Sequence, residues 1–222
     1  MFIYVRADEV LAAADREEAI RAGSKPNGLA WDGRRRRLLV ADVDDFKARL
    51  ADPFTRAVIA AVDLQGRPRW CVYDDGRARF LVKIRQPACV AVVDAASADI
   101  SGRWPVSSTG PDGLDLDHER GLAYVACDGG RVIALDLDAG REVADAAIAG
   151  EPDAIWHNPD RWHLYVAIGQ PGLIAVVDTR EKTTVQEIVT EAGAHTTAFD
   201  RARQRLYVFL PGTCRAAIYA EA

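Results

Sequence analysis

Short apolar runs, broken by Gly, Asp and Pro, recur along the chain at a fixed interval. Residues 26–41 read PNGLAWDGRRRRLLVA, 68–83 PRWCVYDDGRARFLVK, 111–126 PDGLDLDHERGLAYVA, 152–167 PDAIWHNPDRWHLYVA and 194–209 AHTTAFDRARQRLYVF. Asp32, Asp74, Asp117, Asn158 and Asp200 anchor these windows at spacings of 42, 43, 41 and 42. Eight residues after each anchor stands Val40, Val82, Val125, Val166 or Val208, and six before it Pro26, Pro68, Pro111, Pro152 or Ala194. No gap is needed inside any window. Each window holds two apolar runs around a polar turn.

Further runs follow the second one. ACVAVVD (88–94), RVIALDL (131–137) and GLIAVVD (172–178) are third runs, while SGRWPVS, REVADAAI and TTVQEIV (183–189) are fourth runs. They are rich in Val, Ile and aromatic residues and are punctuated as short strands require. Four strands per period of about 42 residues is the signature of a propeller blade. The reading is an all-β fold, a β-propeller of about five four-stranded blades. A lone four-stranded sheet leaves a face wet; sheets set around an axis bury their faces against one another. Pro-Asp-Gly is then the crossover from an outer strand to the next inner strand. The anchor Asp or Asn accepts backbone hydrogen bonds in the turn that follows, a role suited to its short side chain.

The repeats divide the chain into residues 1–23, an N-terminal segment, and 24–222, the propeller. The last copy has two strands and a third run, RAAIYAEA, before the sequence stops. Residues 15–22, DREEAIRA, stand at the right distance before Pro26 to close the ring as its missing strand, which would remove two exposed edges. The Ala- and Glu-rich stretch 8–22 also suits a short helix. The remaining alternative is an unclosed ring that pairs with another chain as a homo-oligomer.

Composition narrows the partners. The 222 residues carry a formal net charge of -5, which gives no electrostatic reason to expect nucleic acid or an anionic membrane. Arg34–Arg37 reads as a solvated turn beside a strand. No run approaches the roughly 18 apolar residues of a membrane span, and the N-terminus lacks a basic region before its short apolar stretch. A cytoplasmic protein is expected. Cys71, Cys89, Cys127 and Cys214 form no Cys-x-x-Cys pair and read as buried free thiols.

Candidate chemistry lies in one column. Five residues before each anchor stand Asn27, Arg69, Asp112, Asp153 and His195, on the rim of the expected central channel. Asx preference for Pro-x-Gly turns accounts for Asn27 and Asp112 but poorly for Arg69 and His195. Asp112, Asp153, His195 and Asn27 are suitable ligands for one divalent cation (Ca, Zn or Mn), and Arg69 for a carboxylate or phosphate. Arg85 and Asp128 follow second strands and should face the same rim. Lys83 shares a column with Ala41, Ala126, Ala167 and Phe209, and points either into the channel or along a blade interface. His157, in the column of Trp31, Tyr73, Leu116 and Phe199, is expected to be a satisfied core histidine. Trp156 and Trp162 should pack between blades, and His118 and His163 should be exposed. No nucleophile elbow, zincin or phosphate-loop motif is present.

Leu-Tyr-Val-Ala at 164–167, Leu-Ala-Tyr-Val-Ala at 122–126 and the Ala-Val-Val-Asp and Ala-Leu-Asp-Leu runs after them resemble the YVTN-repeat propellers. Gly-Pro-Asp-Gly-Leu-Asp-Leu-Asp resembles the start of a blade in that family and in its gluconolactonase-like relatives. The resemblance spans about residues 24–220. It implies the propeller fold and, through the gluconolactonase-like relatives, an axial metal that polarises a lactone carbonyl. It does not imply one activity, since the group includes hydrolases, a lyase and proteins that only bind. The family has six or seven blades where this chain has five anchors. The first reading is a non-catalytic module that binds a small molecule or a protein partner at the axial rim. The rivals are a metal-dependent lactonase-type hydrolase and a structural scaffold that assembles through an open blade edge.

Overall fold

In a computed structural model, Ile20 and residues 22–220 are described, and the expected ring-closing strand of residues 15–22 lies largely outside them. The fold is an all-β propeller with one antiparallel sheet per repeat. Blade 1 contains β1 (Pro26–Asp32), β2 (Arg37–Asp42), β3 (Lys47–Asp52) and β4 (Ala57–Asp63). Blade 2 contains β5 (Pro68–Asp74), β6 (Arg79–Ile84), β7 (Cys89–Asp94) and β8 (Ile100–Pro105). Blade 3 contains β9 (Pro111–Asp117), β10 (Leu122–Cys127), β11 (Arg131–Asp136) and β12 (Glu142–Ala147). Blade 4 contains β13 (Glu151–Asn158), β14 (His163–Gln170), β15 (Leu173–Asp178) and β16 (Thr183–Val189). Blade 5 has three strands, β17 (Thr197–Asp200), β18 (Arg205–Leu210) and β19 (Arg215–Ala220). Strands pair in sequence order, and the first strands β1, β5, β9, β13 and β17 neighbour one another around the axis. Among the described residues no helix is long and apolar enough to cross a membrane.

The anchors behave as their chemistry requires. Asp32 Oδ1 accepts the amides of Arg34 and Arg35 at 3.0 and 3.1 Å, and Asp117, Asn158 and Asp200 accept amides of Arg120, Asp160 and Arg203. Each anchor is followed three residues later by an arginine, namely Arg35, Arg77, Arg120, Arg161 and Arg203. Four of these return to their own anchor, at 3.1, 3.6, 2.9 and 2.7 Å for Arg35, Arg77, Arg120 and Arg203. The next position adopts positive φ in every blade: Arg36, Ala78, Gly121, Trp162 and Gln204. That left-handed residue completes the short hairpin turn. Blade 2 differs. Its turn tightens into a 3-10 turn over Asp75–Arg77, and Asp74 Oδ1 has no hydrogen-bond partner among the described residues. A second ring of turns hangs on Asp52, Asp94, Asp136 and Asp178, each accepting two amides of its outer hairpin. These amides hold all four carboxyls below the ordinary range.

Burial happens between blades. One apolar cluster joins blades 1 and 2 around Leu39, Leu50 and Phe80, and a second joins blades 2 and 3 around Leu81, Leu114 and Ile133. Others join blades 3 and 4 around Val132, Leu164 and Ile168, and blades 4 and 5 around Tyr165, Ile174 and Leu206. Each fully buried Leu, Ile or Phe side chain is worth about 1.5–3 kcal/mol. Among the described residues no cluster joins blade 5 to blade 1. Trp31, placed in a core column by the repeat, is consequently 41% exposed, because no sheet among the described residues packs on that side of its blade.

The Pro-Asn-Gly and Pro-Asp-Gly crossovers are not turns at their glycine. Gly28 lies within β1 and Gly113 within β9. A Cβ on Gly28 would stand 2.6 Å from the Arg69 carbonyl oxygen, and one on Gly113 would stand 2.4 Å from that of Asp153. Glycine is required because the next first strand passes too close for any side chain.

Candidate functional site

The central feature of the axial rim is Asp112, near the start of β9 and 7% exposed. Lys83, on β6, is wholly buried and points to it. Its Nζ donates to Asp112 Oδ1 at 2.8 Å and also to the Asp112 carbonyl. Arg85, just beyond β6, donates to Asp112 Oδ2 at 2.7 Å and through its other terminal nitrogen to Asp128, just beyond β10. Arg69, on β5, reaches Asp112 Oδ1 through Nε at 3.4 Å. On the far side, His195 Nε2 stands 4.0 Å from Asp153 Oδ2. Asp112 and Lys83 both act on the charge of Asp153, so the two halves form one electrostatic unit.

Lys83 thus turns to the axis instead of following a blade interface. Its column is apolar elsewhere, and only the carboxylate of the next blade makes a buried ammonium tolerable here. Burial pulls the Lys83 ammonium down to about 8, against the pull of Asp112. Burial raises the Asp153 carboxyl, as does the neighbouring Asp112, while His195, Arg69 and Lys83 oppose. Burial also raises Asp128, opposed chiefly by Arg85.

Arg69, Asp112, Asp153, His195, Arg85, Asp128 and Lys83 are therefore brought together. Asn27 is exposed at the start of β1 and its side chain bonds to none of the described residues. Asp112 already accepts from Lys83 and Arg85 and meets Arg69. Among the described residues no three His, Cys, Asp or Glu side chains are gathered as a metal-ligand set. What the rim offers instead is three cations around one carboxylate, with the side chains of Arg69, Asp153 and His195 accessible at 26, 37 and 52%.

His157 is buried as expected, but not satisfied. Its Nε2 lies 3.6 Å from Asp117 Oδ2 and has no hydrogen-bond partner among the described residues, and burial lowers its pKa. Its backbone amide donates at 2.7 Å to Asp115, which the repeat reading passed over. Asp115 also accepts the Leu116 amide at 2.8 Å, and desolvation pushes its carboxyl up to about 6. The signal was there: Asp115 is the one charge in a column of Ala30, Val72, Trp156 and Ala198. Trp156 packs between blades 4 and 5 and donates to Thr197. Trp162 stands in the blade 4 turn and also packs between blades, with the Arg120 guanidinium of blade 3 and that of Arg180 over its ring. His118 is exposed, and His163 is only partly so.

Fold and rim together define a β-propeller with a charged axial mouth. No family model matches the chain, and no curated protein does. Among solved structures, it is similar to Kuenenia stuttgartiensis hydrazine synthase, with a TM-score of 0.75 and 17% sequence identity over 82% of this chain. The matched part is 55% of that chain, so this chain spans about half of its length. At such identity the likeness is one of fold.

Proposed function

We propose that the protein is a non-catalytic binding module that holds a small anion, a carboxylate or a phosphate, at the axial rim. One observation carries this reading: Arg69 meets Asp112 only through Nε, at 3.4 Å, so its two terminal nitrogens are uncommitted among the described residues. The neighbouring cations are differently placed. Lys83 is buried and Arg85 is shared between Asp112 and Asp128, so neither has to be released when a ligand arrives. A planar guanidinium fork matches a carboxylate or phosphate in two-point geometry. The accessible His195 imidazole offers a further donor beside it.

The test is calorimetric titration with inorganic phosphate and with succinate at low salt. Saturable binding that disappears in Arg69→Met, with the fold retained, supports the reading. Absence of heat with both probes, or equal binding by Arg69→Met, sinks it.

A further inference from the structure

Ala134, Ala144 and Ala146 stand on the face of blade 3 that meets blade 4. The repeat shows how small that face is. The column of Ala134 holds Leu50, Val92 and Val176 in the other four-stranded blades, and that of Ala146 holds Val62, Trp104 and Ile188. In every one of these blades both columns lie on the face turned to the next blade. Cross-strand pairing of Val132 with Ala146 and of Ala134 with Ala144 sets the alanines side by side. Blade 4 does not make up the missing side-chain volume, and a cavity of about 270 Å³ remains between the two blades. Its wall includes Tyr124, Val132, Ala134, Ala146, Leu164 and Val177, each at 6% exposure or less. Exposed Val143, Asp145 and Lys182 line its mouth. It shares no residue with the axial rim.

The charges beside this cavity are unequally committed. Asp145 is paired with Arg131. Asp178 accepts the amides of Arg180 and Glu181 and meets the Arg180 guanidinium at 3.4 Å. The Lys182 ammonium has no partner among the described residues. The buried Tyr124 hydroxyl, near Thr179 of the same lining, also makes no hydrogen bond among them.

We propose that the cavity is a second binding site, for a small amphipathic carboxylate whose hydrocarbon part fills the space beside the alanines and whose carboxylate meets Lys182. Apolar cavities of about 150 Å³ take up molecules the size of benzene, so this larger one admits an alkyl chain or a substituted ring. Removing that hydrocarbon from water drives binding. The uncommitted ammonium selects the charge of the head group and holds it at the mouth.

Titration calorimetry of the whole protein with octanoate tests this. Saturable binding is expected, and it should be retained in Arg69→Met, which separates it from the axial rim. Ala134→Val/Ala146→Ile gives blade 3 the residues of blade 4 at these columns and should weaken octanoate binding at least tenfold. Where that variant does not fold, Ala146→Val serves as the smaller filling change, with weaker binding again expected. Lys182→Met should weaken octanoate binding about fivefold, the scale of an exposed ion pair, and leave octanol binding unchanged. Absence of saturable octanoate binding overturns the proposal. So does binding that is undiminished when the cavity is filled, binding that is lost in Arg69→Met, or a response to Lys182→Met that is the same for octanoate and octanol.

Discussion

The Nζ of Lys83 stands 2.8 Å from Oδ1 of Asp112, and neither residue is more than 7% exposed. The pair joins β6 of one blade to β9 of the next, yet its members are not equally dependent on each other. Asp112 retains Arg85 at 2.7 Å and Arg69 at 3.4 Å if Lys83 is lost. Among the described residues Lys83 has no other carboxylate within salt-bridge distance if Asp112 is lost. A buried charge stripped of its partner costs about 3–5 kcal/mol. Asp112→Ala should therefore destabilise the protein by that order in urea denaturation, and Lys83→Met by clearly less. The double variant should recover much of the Asp112→Ala loss. Equal losses for the two single variants would contradict the asymmetry.

The same lysine makes stability depend on alkaline pH. Its pKa in the fold is about 8 against an ordinary value of 10.5. Between these values the unfolded chain binds a proton that the folded chain has released, so unfolding becomes harder as pH rises. Below about 8 both states are protonated and the full cost of the buried charge is present. Relative to Lys83→Met, the wild type should gain up to about 3 kcal/mol between pH 8 and pH 10.5, at about 1.4 kcal/mol per pH unit. The comparison must be made with the variant, because Cys71 and Cys127, each pushed up to about 12 by burial, act in the opposite direction above pH 9. Parallel curves for the two proteins would remove Lys83 as the source.

Thiol chemistry checks the blade interfaces separately. Cys71, Cys89 and Cys127 are buried, each in an interblade cluster, while Cys214 lies exposed in the turn before β19. Only the thiolate is reactive, and burial suppresses it. In the native protein a chromogenic disulfide reagent at pH 8 should titrate one thiol rapidly, and Cys214→Ser should abolish that phase. All four should react in denaturant. Rapid reaction of two or more native thiols would mean that a blade interface opens readily.

Much of the fold was legible because the turn chemistry repeats with the strands. Four of the five anchors bind turn amides at a set distance from the next strand, so the 42-residue register located every sheet. The column from Arg69 to His195 was legible on the same ground, since equivalent positions on blades around an axis must approach one another. Lys83 was ambiguous because its direction depends on Asp112, a residue 29 positions away with which no local pattern connects it. Trp31 was misplaced for a related reason. A repeat column describes a blade with neighbours on both sides, whereas blade 1 has one neighbour among the described residues. His157 was placed correctly in the core, but whether its Nε2 found a partner depended on the reach of Asp117, which no column encodes.

Gly113 connects the backbone of the stack to the rim. A Cβ at that position would stand 2.4 Å from the Asp153 carbonyl oxygen and 2.7 Å from the Ile155 side chain. Backbone cannot yield as a flexible side chain would, so β9 and β13 must separate. Gly76, in the blade 2 turn, is the natural control, because its nearest neighbour would be the Asp74 side chain at 3.7 Å. Overpacking of this kind costs about 1–3 kcal/mol. Gly113→Ala should lower the melting temperature by several degrees, whereas Gly76→Ala should leave it nearly unchanged. The damage should also reach Asp153, which sits on the displaced strand and owes its raised pKa to burial and to Asp112. Moving it away from both lets its carboxyl fall back toward the ordinary range, which a carboxyl-selective NMR titration would read directly. A Gly113→Ala protein with unchanged melting and an unchanged Asp153 titration would show that the first strands do not pack as closely as their glycines indicate.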